Sequence, residues 1–334
     1  MKKGECAVSL EADRKVADKV LTAMRQEIMT LNNTNIPSPV IAAKLCSAAS
    51  YGSIQPVARG VSIVLAKNPK DYTGPGTNTY IVGDDTVWII DPGPECEAHV
   101  DAVMEAVGGR KVAGIFVTHT HIDHSRAAIP LKLRTGAKTY GFGALSADIL
   151  ALTEEDVDAD FVPDVALSDG QLLGEGDWQM LALHTPGHFP NHMGYMLPHK
   201  GILFSGDHVM GWSTTVVVPP LGNMAEYLSS LDRLEAVGAH LMLPSHGLAV
   251  EEPTTRIREV REHRMLRHAQ VKECLERGID DPSAIVEELY TGLTPRLIAA
   301  AEGCVAAHIE LVVADDISMP IVLRAAEGVS IPGS

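Results

Sequence analysis

Short apolar runs bounded by turn-forming residues alternate with longer amphipathic stretches along the middle of the chain. The first strand-like runs are Val61–Leu65 and residues 79–82, and residues 68–76, rich in proline and glycine, separate them. Beyond them, runs suited to strands alternate with stretches whose apolar residues recur at helical spacing. The pattern predicts an α/β protein.

The order of elements repeats weakly within this region. In the first half a strand ends at Asp91 and a helix follows at Glu97–Val107. In the second half a strand ends at Asp207 and a helix follows at residues 224–237. Another strand follows each helix. Two such halves packed face to face form an αββα sandwich, in which strand ends from both sheets meet along one edge.

Helical patterns also occupy both ends of the chain. We assign residues 1–55 to an N-terminal extension, with a helix at 11–31 and a proline-rich linker at 36–39, that serves packing or oligomer contacts, such as those of a homodimer. The sandwich domain covers residues 56–252, and residues 253–334 form a C-terminal domain similar to a winged helix. The predicted elements of that domain are helices at 255–277, 283–289 and 295–308, and a strand pair at 317–324.

Residues of the kinds that bind metals collect where the strand-like runs end. Four of them fall within one short segment, His119-Thr120-His121-Ile122-Asp123-His124. Three more stand in Gly-His, Gly-Asp and Ser-His-Gly contexts, namely His188, Asp207 and His246. One such residue alone would be an ordinary loop side chain, but imidazoles and carboxylates that converge from strand ends predict a metal site.

The order and context of these residues resemble one protein family, the metallo-β-lactamase-fold hydrolases, over residues 58–250. The resemblance implies an αββα fold and a structural role for Asp91. It also implies two ligand groups and a bridge: His119, His121 and His188 for one ion, Asp123, His124 and His246 for the second, and Asp207 between the two.

Two divalent ions at such a site imply hydrolysis by a hydroxide that both ions share. Zinc is the expected metal of a histidine-rich site, with iron or manganese as alternatives. Asp123 is the candidate that orients the hydroxide or takes its proton. His192 is a candidate leaving-group acid, with a structural hydrogen bond as the alternative role. A mononuclear iron dioxygenase and a non-hydrolytic metal-binding protein on the same fold are the alternative functions.

The substrate class stays open between two kinds of ester. True β-lactamases generally lack the bridging aspartate, so the full ligand set is similar instead to the lactamase-beta-two-like and glyoxalase II-like group. That similarity implies either a small-molecule thioester or lactone, or the phosphodiester of single-stranded RNA.

Charge bears on this choice in two opposite ways. A formal net charge of −16 at pH 7 repels polyanions at long range. Against this, five arginines recur at about three-residue spacing: Arg256, Arg258, Arg261, Arg264 and Arg267. Interleaved glutamates favour a solvated helix face over a phosphate-binding stripe.

Composition places the chain among globular proteins. With 334 residues, 46% of them hydrophobic, the chain can bury a sizeable core. No apolar run approaches the roughly 20 residues that span a bilayer, and the five cysteines form no ligand-like or disulfide pattern. We therefore expect a soluble cytoplasmic protein with no membrane partner.

Overall fold

The computed structural model describes residues 50–153 and 155–318. The helix predicted at residues 11–31 and the linker at 36–39 lie outside these residues. So does the part of the predicted strand pair beyond residue 318.

Seven strands form the first sheet, in the order in which they follow one another along the chain. Strands β1 to β4 pair antiparallel and strands β4 to β7 pair parallel. Their bounds are β1 Ile54–Ala58, β2 Val61–Leu65, β3 Asn78–Val82, β4 Thr86–Ile90, β5 Lys111–Phe116, β6 Thr139–Gly141 and β7 Val165–Ala166. The two opening strands predicted from the apolar pattern are confirmed.

Five strands form the second sheet, in the spatial order β12, β11, β10, β9, β8. Only β11 and β12 pair parallel; the other neighbours are antiparallel. Their bounds are β8 Leu172–Leu173, β9 Met180–His184, β10 Met193–Leu197, β11 Ile202–Gly206 and β12 Leu241–Pro244. Because Gly206 pairs with Pro244, the residues that follow β11 and β12 emerge side by side.

An aromatic core lies between the two sheets. The ring centroid of Tyr80 lies 5.1 Å from that of Phe204, and the centroid of Phe116 lies 5.4 Å from that of Tyr195. In each pair one ring comes from each sheet, and all four side chains are at most 2% exposed. Burial of a side chain of this size stabilises the fold by about 1.5–3 kcal/mol.

Helices cover the outer face of each sheet. Val103 of α1 and Leu131 of α3 pack on the first sheet, and Leu231 of α5 packs on the second. The helices are α1 Glu97–Val107, α2 Ile122–Ser125, α3 Ala128–Thr135, α4 Ala147–Leu150, α5 Met224–Ala236, α6 Pro253–Glu276, α7 Pro282–Leu289 and α8 Pro295–Ser318. The predicted αββα sandwich is confirmed.

The helix ends follow local backbone chemistry. Helix α1 ends at Gly108, whose φ of 62° is the left-handed conformation that favours glycine. The Asn223 side chain accepts a hydrogen bond from the backbone N–H of Glu226 at the start of α5, and Asp281 does the same for Ala284 at the start of α7. These caps explain why the helices at Glu97–Val107, 224–237 and 283–289 could be predicted to within one residue.

The three helices predicted for the C-terminal region are present and pack on one another. Val271 of α6, Ile285 of α7 and Val305 of α8 share one apolar cluster. Helix α8 continues ten residues past the predicted end at His308 to Ser318. Ile317 and Ser318, predicted to begin a strand pair, are therefore helical, and the described residues contain no wing.

The five arginines of α6 form neither one solvated face nor a phosphate-binding stripe, because three of them are buried and only Arg258 is largely exposed. Arg256, Arg264 and Arg267 are at most 9% exposed and donate to backbone carbonyl oxygens of neighbouring segments. Arg258 and Arg261 pair with the Glu235 carboxylate of α5, at 2.7 and 2.8 Å. The arginines therefore hold segments of this chain together.

Helix α8 bears on the expectation of no membrane partner. Within the described residues, Leu297–Ala314 is the one helical stretch long and apolar enough to cross a bilayer, judged by length and composition alone. A core helix of a soluble protein passes the same test. Ala301 and Val305 pack against α6 and α7, so this stretch is a weak indication of a span.

The helix layer on the first sheet generates a stability prediction. Leu131→Ala should lower the free energy of unfolding by about 2–5 kcal/mol, because Leu131 is 0% exposed and truncation leaves a cavity. Leu133→Ala on the same helix is the matched control, since Leu133 is 81% exposed and should change the value by less than about 0.5 kcal/mol. Urea unfolding followed by circular dichroism measures both. Equal losses for the two variants would contradict the packing of α3 described here.

Candidate metal centre

All seven candidate ligands lie at strand ends along one edge of the sandwich. His119, His121, Asp123 and His124 follow β5, and the other three follow β9, β11 and β12. Their ligand atoms form three groups, within each of which all atoms lie within 4.8 Å of one another: His119, His121 and His188; His119, His124 and Asp207; and Asp123, His124 and His246. The structure thus brings together every residue that the sequence placed in the metal site.

The turn before His188 requires glycine. Gly187 has a φ of 124°, and a Cβ atom there would lie 2.3 Å from the backbone of Tyr227 in α5. No other residue type adopts this conformation readily or leaves room for the helix backbone. The Gly-His pair of the sequence motif therefore has a steric cause.

The Asp207 carboxylate lies between the first and third of these groups. Its Oδ2 atom lies 3.3 Å from His246 Nε2, 3.5 Å from His124 Nε2 and 3.9 Å from His188 Nε2. Asp123 belongs to one side only, with Oδ2 3.5 Å from His246 Nε2 and 3.6 Å from His124 Nε2.

Each of the five histidines bonds an acceptor outside the cluster through one ring nitrogen. The pairs are His119 Nδ1 with Thr118 Oγ1, His121 Nε2 with Glu155 Oε2, His124 Nδ1 with Asp91 Oδ2, His188 Nδ1 with the Val216 carbonyl, and His246 Nδ1 with the Gly76 carbonyl. The distances run from 2.7 to 3.1 Å. Outward donation fixes the tautomer, so the second nitrogen of each ring is the one available to a metal.

The cluster also contains buried polar atoms that lack hydrogen bonds. His124 Nε2, His188 Nε2 and Asp207 Oδ1 have no hydrogen-bond partner among the described residues. Such atoms are costly to bury unless something else binds them. Their position among nitrogen and oxygen ligands fits divalent cations.

The electrostatics of the two sides differ. Burial, reinforced by the charge of His121, lowers the pKa of His188 to about 4, and burial likewise lowers the pKa of His119. Burial opposes protonation of His124 too, but the carboxylates of Asp123, Asp207 and Asp91 raise its pKa well above the ordinary value. His119 and His188 therefore offer neutral imidazoles, whereas the carboxylates around His124 concentrate negative charge that a cation would balance.

Asp91 connects the ligand loops to one another. It is 0% exposed, and its two carboxylate oxygens accept from the Thr118 N–H and hydroxyl, the Ser245 hydroxyl and the His124 ring. Asp91 is also the only non-glycine residue with positive φ, 49°, in the described part of the chain. Its structural role, implied by the family resemblance, agrees with these contacts.

His192 lies beneath the cluster. It is 0% exposed, its Nε2 accepts the backbone N–H of Asp207 at 3.1 Å, and its Nδ1 therefore donates to Thr185 Oγ1 at 2.8 Å. His192 is not among the described residues that line the cavity beside the cluster. These contacts match the structural role that was the alternative to a leaving-group acid. We therefore assign His192 a positioning role.

Sequence reasoning missed Glu155, which orients His121 through the 2.9 Å contact with Nε2. Burial raises the pKa of the Glu155 carboxyl, but the His121 contact outweighs it and lowers the pKa below its usual range. Glu155 stands 34 residues after His121, in an acidic run with no motif, so no local signal could have identified it.

Residues 210–218, here called the 210–218 loop, support the site through contacts that the sequence did not indicate. Arg256 donates to the Met210 and Ser213 carbonyls at 2.9 and 2.8 Å, and Arg264 donates to the Thr215 carbonyl. The Thr215 hydroxyl in turn donates to the Asp207 carbonyl, and the next residue, Val216, accepts from His188. Helix α6 thus supports two candidate ligands through this loop.

A cavity of about 680 Å³ opens beside the cluster. The candidate ligands His121, Asp123, His188, Asp207 and His246 form part of its lining. The remainder includes residues of the loop between β2 and β3, the 210–218 loop and helix α8, together with charged residues such as Glu95, Arg126 and Asp156, and most of the lining surface is apolar. Its volume is in the range of sites that bind small molecules, about 300–1,000 Å³.

Comparisons with known proteins agree with this geometry. A family model described as "Metallo-beta-lactamase superfamily" matches residues 72–246. An atrochrysone carboxyl ACP thioesterase from Aspergillus chevalieri is 29% identical over 225 residues, 66% of this chain and 68% of that protein. A "Beta-lactamase-like protein 2 homolog" from Drosophila melanogaster is 29% identical over 221 residues, 62% of this chain and 71% of that protein.

Solved structures show the same fold. A beta-lactamase domain protein from Burkholderia ambifaria superposes with a TM-score of 0.66 at 24% identity, covering 80% of this chain and 91% of that one. A metallo-beta-lactamase family protein from Thermus thermophilus has a TM-score of 0.59 at 21% identity, covering 77% and 94%. The first coverage exceeds the span of residues 72–246, so the shared fold extends beyond the part that the family model matches.

The contact between Glu155 and His121 predicts an effect on metal affinity. Glu155→Ala should weaken binding of the metal held by His121 about 10- to 100-fold, because the ring loses the acceptor that sets its tautomer. Glu155→Gln retains an acceptor oxygen and should lose less. Asp156→Ala removes a neighbouring carboxylate whose partner is the exposed Lys70, and it serves as control. Competition with a chromophoric zinc chelator measures all three affinities, and equal affinities for wild type and Glu155→Ala would refute the assignment.

The buried arginines predict a second effect. Arg264→Met should lower the free energy of unfolding by about 2 kcal/mol and weaken metal binding, because the Thr215 carbonyl loses a charged donor. Arg258→Met removes an arginine of the same helix whose side chain is 62% exposed, and it should cost less than about 1 kcal/mol. Denaturant unfolding and metal analysis test the pair. Metal affinity unchanged by Arg264→Met would contradict the support that α6 gives to the 210–218 loop.

Proposed function

Since the chain belongs to the metallo-beta-lactamase superfamily and is a metal-dependent hydrolase, we propose that it hydrolyses a thioester or related carboxyl ester with two divalent cations. One observation carries the proposal. Five imidazoles, each fixed by an acceptor outside the cluster, converge with the carboxylates of Asp123 and Asp207 at the edge of a large cavity.

The proposed ligand division follows the grouping of the atoms. His119, His121 and His188 hold one cation, Asp123, His124 and His246 hold the other, and Asp207 lies between them. Zinc suits this nitrogen-rich set best, with iron or manganese as alternatives. When bound, the cations would supply a water nucleophile ionised near neutral pH and positive charge for the oxygen under attack.

Asp123 is placed to orient the attacking water and to accept its proton. The Thr77 hydroxyl donates to Asp123 Oδ2 at 3.3 Å, and Asn68 in turn donates to the Thr77 hydroxyl at 3.0 Å. These contacts hold the carboxylate in one orientation. Its side chain is 22% exposed and lines the cavity, so a bound substrate would lie within its reach.

The leaving group supports a thioester. Both ring nitrogens of His192 are engaged below the cluster, so His192 is not available to protonate a departing group. A thiol has a pKa of about 8.5 and departs as the thiolate without such help, whereas an alkoxide needs a proton. The similarity to proteins named thioesterases points in the same direction.

The contacts of α6 remove the arginine stripe, which was one of the two observations that favoured RNA; the other was the family resemblance. Three of its five arginines are buried on backbone carbonyls and the other two pair with Glu235. A phosphodiester would therefore meet a protein of net charge −16 without that stripe. We propose no nucleic-acid substrate.

Metal analysis and a thioester panel test the proposal. Protein purified without added metal should contain two divalent ions per chain and should release thiol from simple acyl thioesters. His121→Ala and Asp207→Ala should lose metal and at least about 100-fold in kcat/KM, because each removes a ligand from the cluster. His199→Ala, at an exposed histidine outside the cluster, is the control.

Two results would reject the proposal. One iron per chain, with oxygen consumption in place of hydrolysis, would favour the mononuclear dioxygenase. Full metal content in both ligand variants would refute the site itself.

A further inference from the structure

The cavity beside the candidate ligands has an exposed polar side. Two ion pairs lie there, Lys70 with Asp156 at 3.5 Å and Arg126 with Glu95 at 3.7 Å. All four side chains line the cavity, and they are 42–73% exposed. Solvent therefore reaches the cavity from this side.

Another part of the lining is apolar and is here called the apolar wall; its side chains range from the buried Met210 to the exposed Ala299. Five residues from two segments form it: Met210, Val216 and Val218 of the 210–218 loop, and Ala299 and Ala300 of α8. The segments touch directly, because a Cβ atom on Gly303 would lie 2.6 Å from Val218 Cγ2. The Val217 N–H also donates to Cys304 Sγ at 3.5 Å. The wall is thus one continuous surface.

The apolar wall begins next to the candidate ligands. The Val216 carbonyl accepts a hydrogen bond from His188 Nδ1 at 2.7 Å. Val216 therefore contacts a candidate ligand through its backbone and belongs to the apolar wall through its side chain. A substrate carbonyl held at the cluster therefore has the wall as its neighbour. At the helix α8 end the wall consists of alanines, whose small side chains leave most of the roughly 680 Å³ open.

We propose that the apolar wall binds the acyl part of the substrate, and that the substrate is the thioester of an uncharged apolar carboxylic acid. This inference rests on the proposed function. Against the wall, a carboxylate or hydroxyl on the acyl chain would exchange water for side chains that neither donate nor accept a hydrogen bond, whereas methylene groups gain from leaving water. The polar thiol carrier would extend past the two ion pairs, where its amide groups keep their contact with solvent.

The test uses the metal-replete full chain and acetyl, butyryl, hexanoyl and octanoyl thioesters of N-acetylcysteamine, followed by thiol release. For wild type, kcat/KM should rise about fourfold for each methylene added until the wall is covered. Ala299→Leu reduces the space beside the wall, so it should lower the ratio of octanoyl to acetyl kcat/KM at least tenfold. Val218→Ala enlarges the space beside the wall, so it should raise kcat/KM for bulkier acyl groups relative to acetyl.

Ala314→Leu is the matched control, since Ala314 is exposed on the same helix, as Ala299 is, but is not among the residues that line the cavity, so the ratio should stay unaltered. Metal content is measured for every variant, and Val218→Ala keeps the test decisive if Ala299→Leu fails to fold. Equal kcat/KM for octanoyl and acetyl thioesters in wild type would overturn this inference alone. An unchanged ratio in a metal-replete Val218→Ala variant would do the same. Failure of metal-replete wild type to hydrolyse any thioester would overturn both this inference and the proposed function.

Discussion

The metal centre depends on one buried carboxylate, that of Asp91. It ends β4 and accepts hydrogen bonds from Thr118 after β5, from Ser245 after β12 and from His124 in α2. Without these donors, a charge at 0% exposure would be strongly unfavourable. The same bonds tie strand ends from both sheets together, so the carboxylate and the loops stabilise one another. Because His124 donates to Asp91, its Nε2 is left facing Asp123 and Asp207.

The same principle extends to every histidine of the cluster. Each ring is oriented by an acceptor outside the cluster, either a side chain such as Glu155 or a backbone carbonyl such as those of Val216 and Gly76. The chain therefore sets ring orientation and tautomer before any cation binds, which lowers the entropy lost on binding. The carboxylates of Asp123 and Asp207 among the rings then supply negative charge that a bound cation would balance.

The C-terminal helices support the site through the 210–218 loop and line part of the cavity. Arg256 and Arg264 of α6 are buried where the 210–218 loop presents carbonyl oxygens that have no donor in regular secondary structure, and one guanidinium can donate to several of them at once. The loop in turn holds His188 and, with α8, forms one wall of the cavity. Ligand geometry and substrate space therefore depend on the same helix–loop contact.

The sequence by itself determined the layer architecture, the bounds of three helices to within one residue and the identity of the seven clustered residues. It could do so because these features are local: apolar period, capping residues such as Asn223, and ligands within short motifs at strand ends. Only the tertiary structure decided what lies around the ligands. Glu155 reaches His121 from 34 positions away, and the Val216 and Gly76 carbonyls carry no residue signature. The arginine spacing of α6 likewise does not indicate whether the guanidinium groups contact solvent, phosphate or backbone carbonyl oxygens. Packing alone selects among these partners, since a side chain's environment depends on which distant segment the fold places against it.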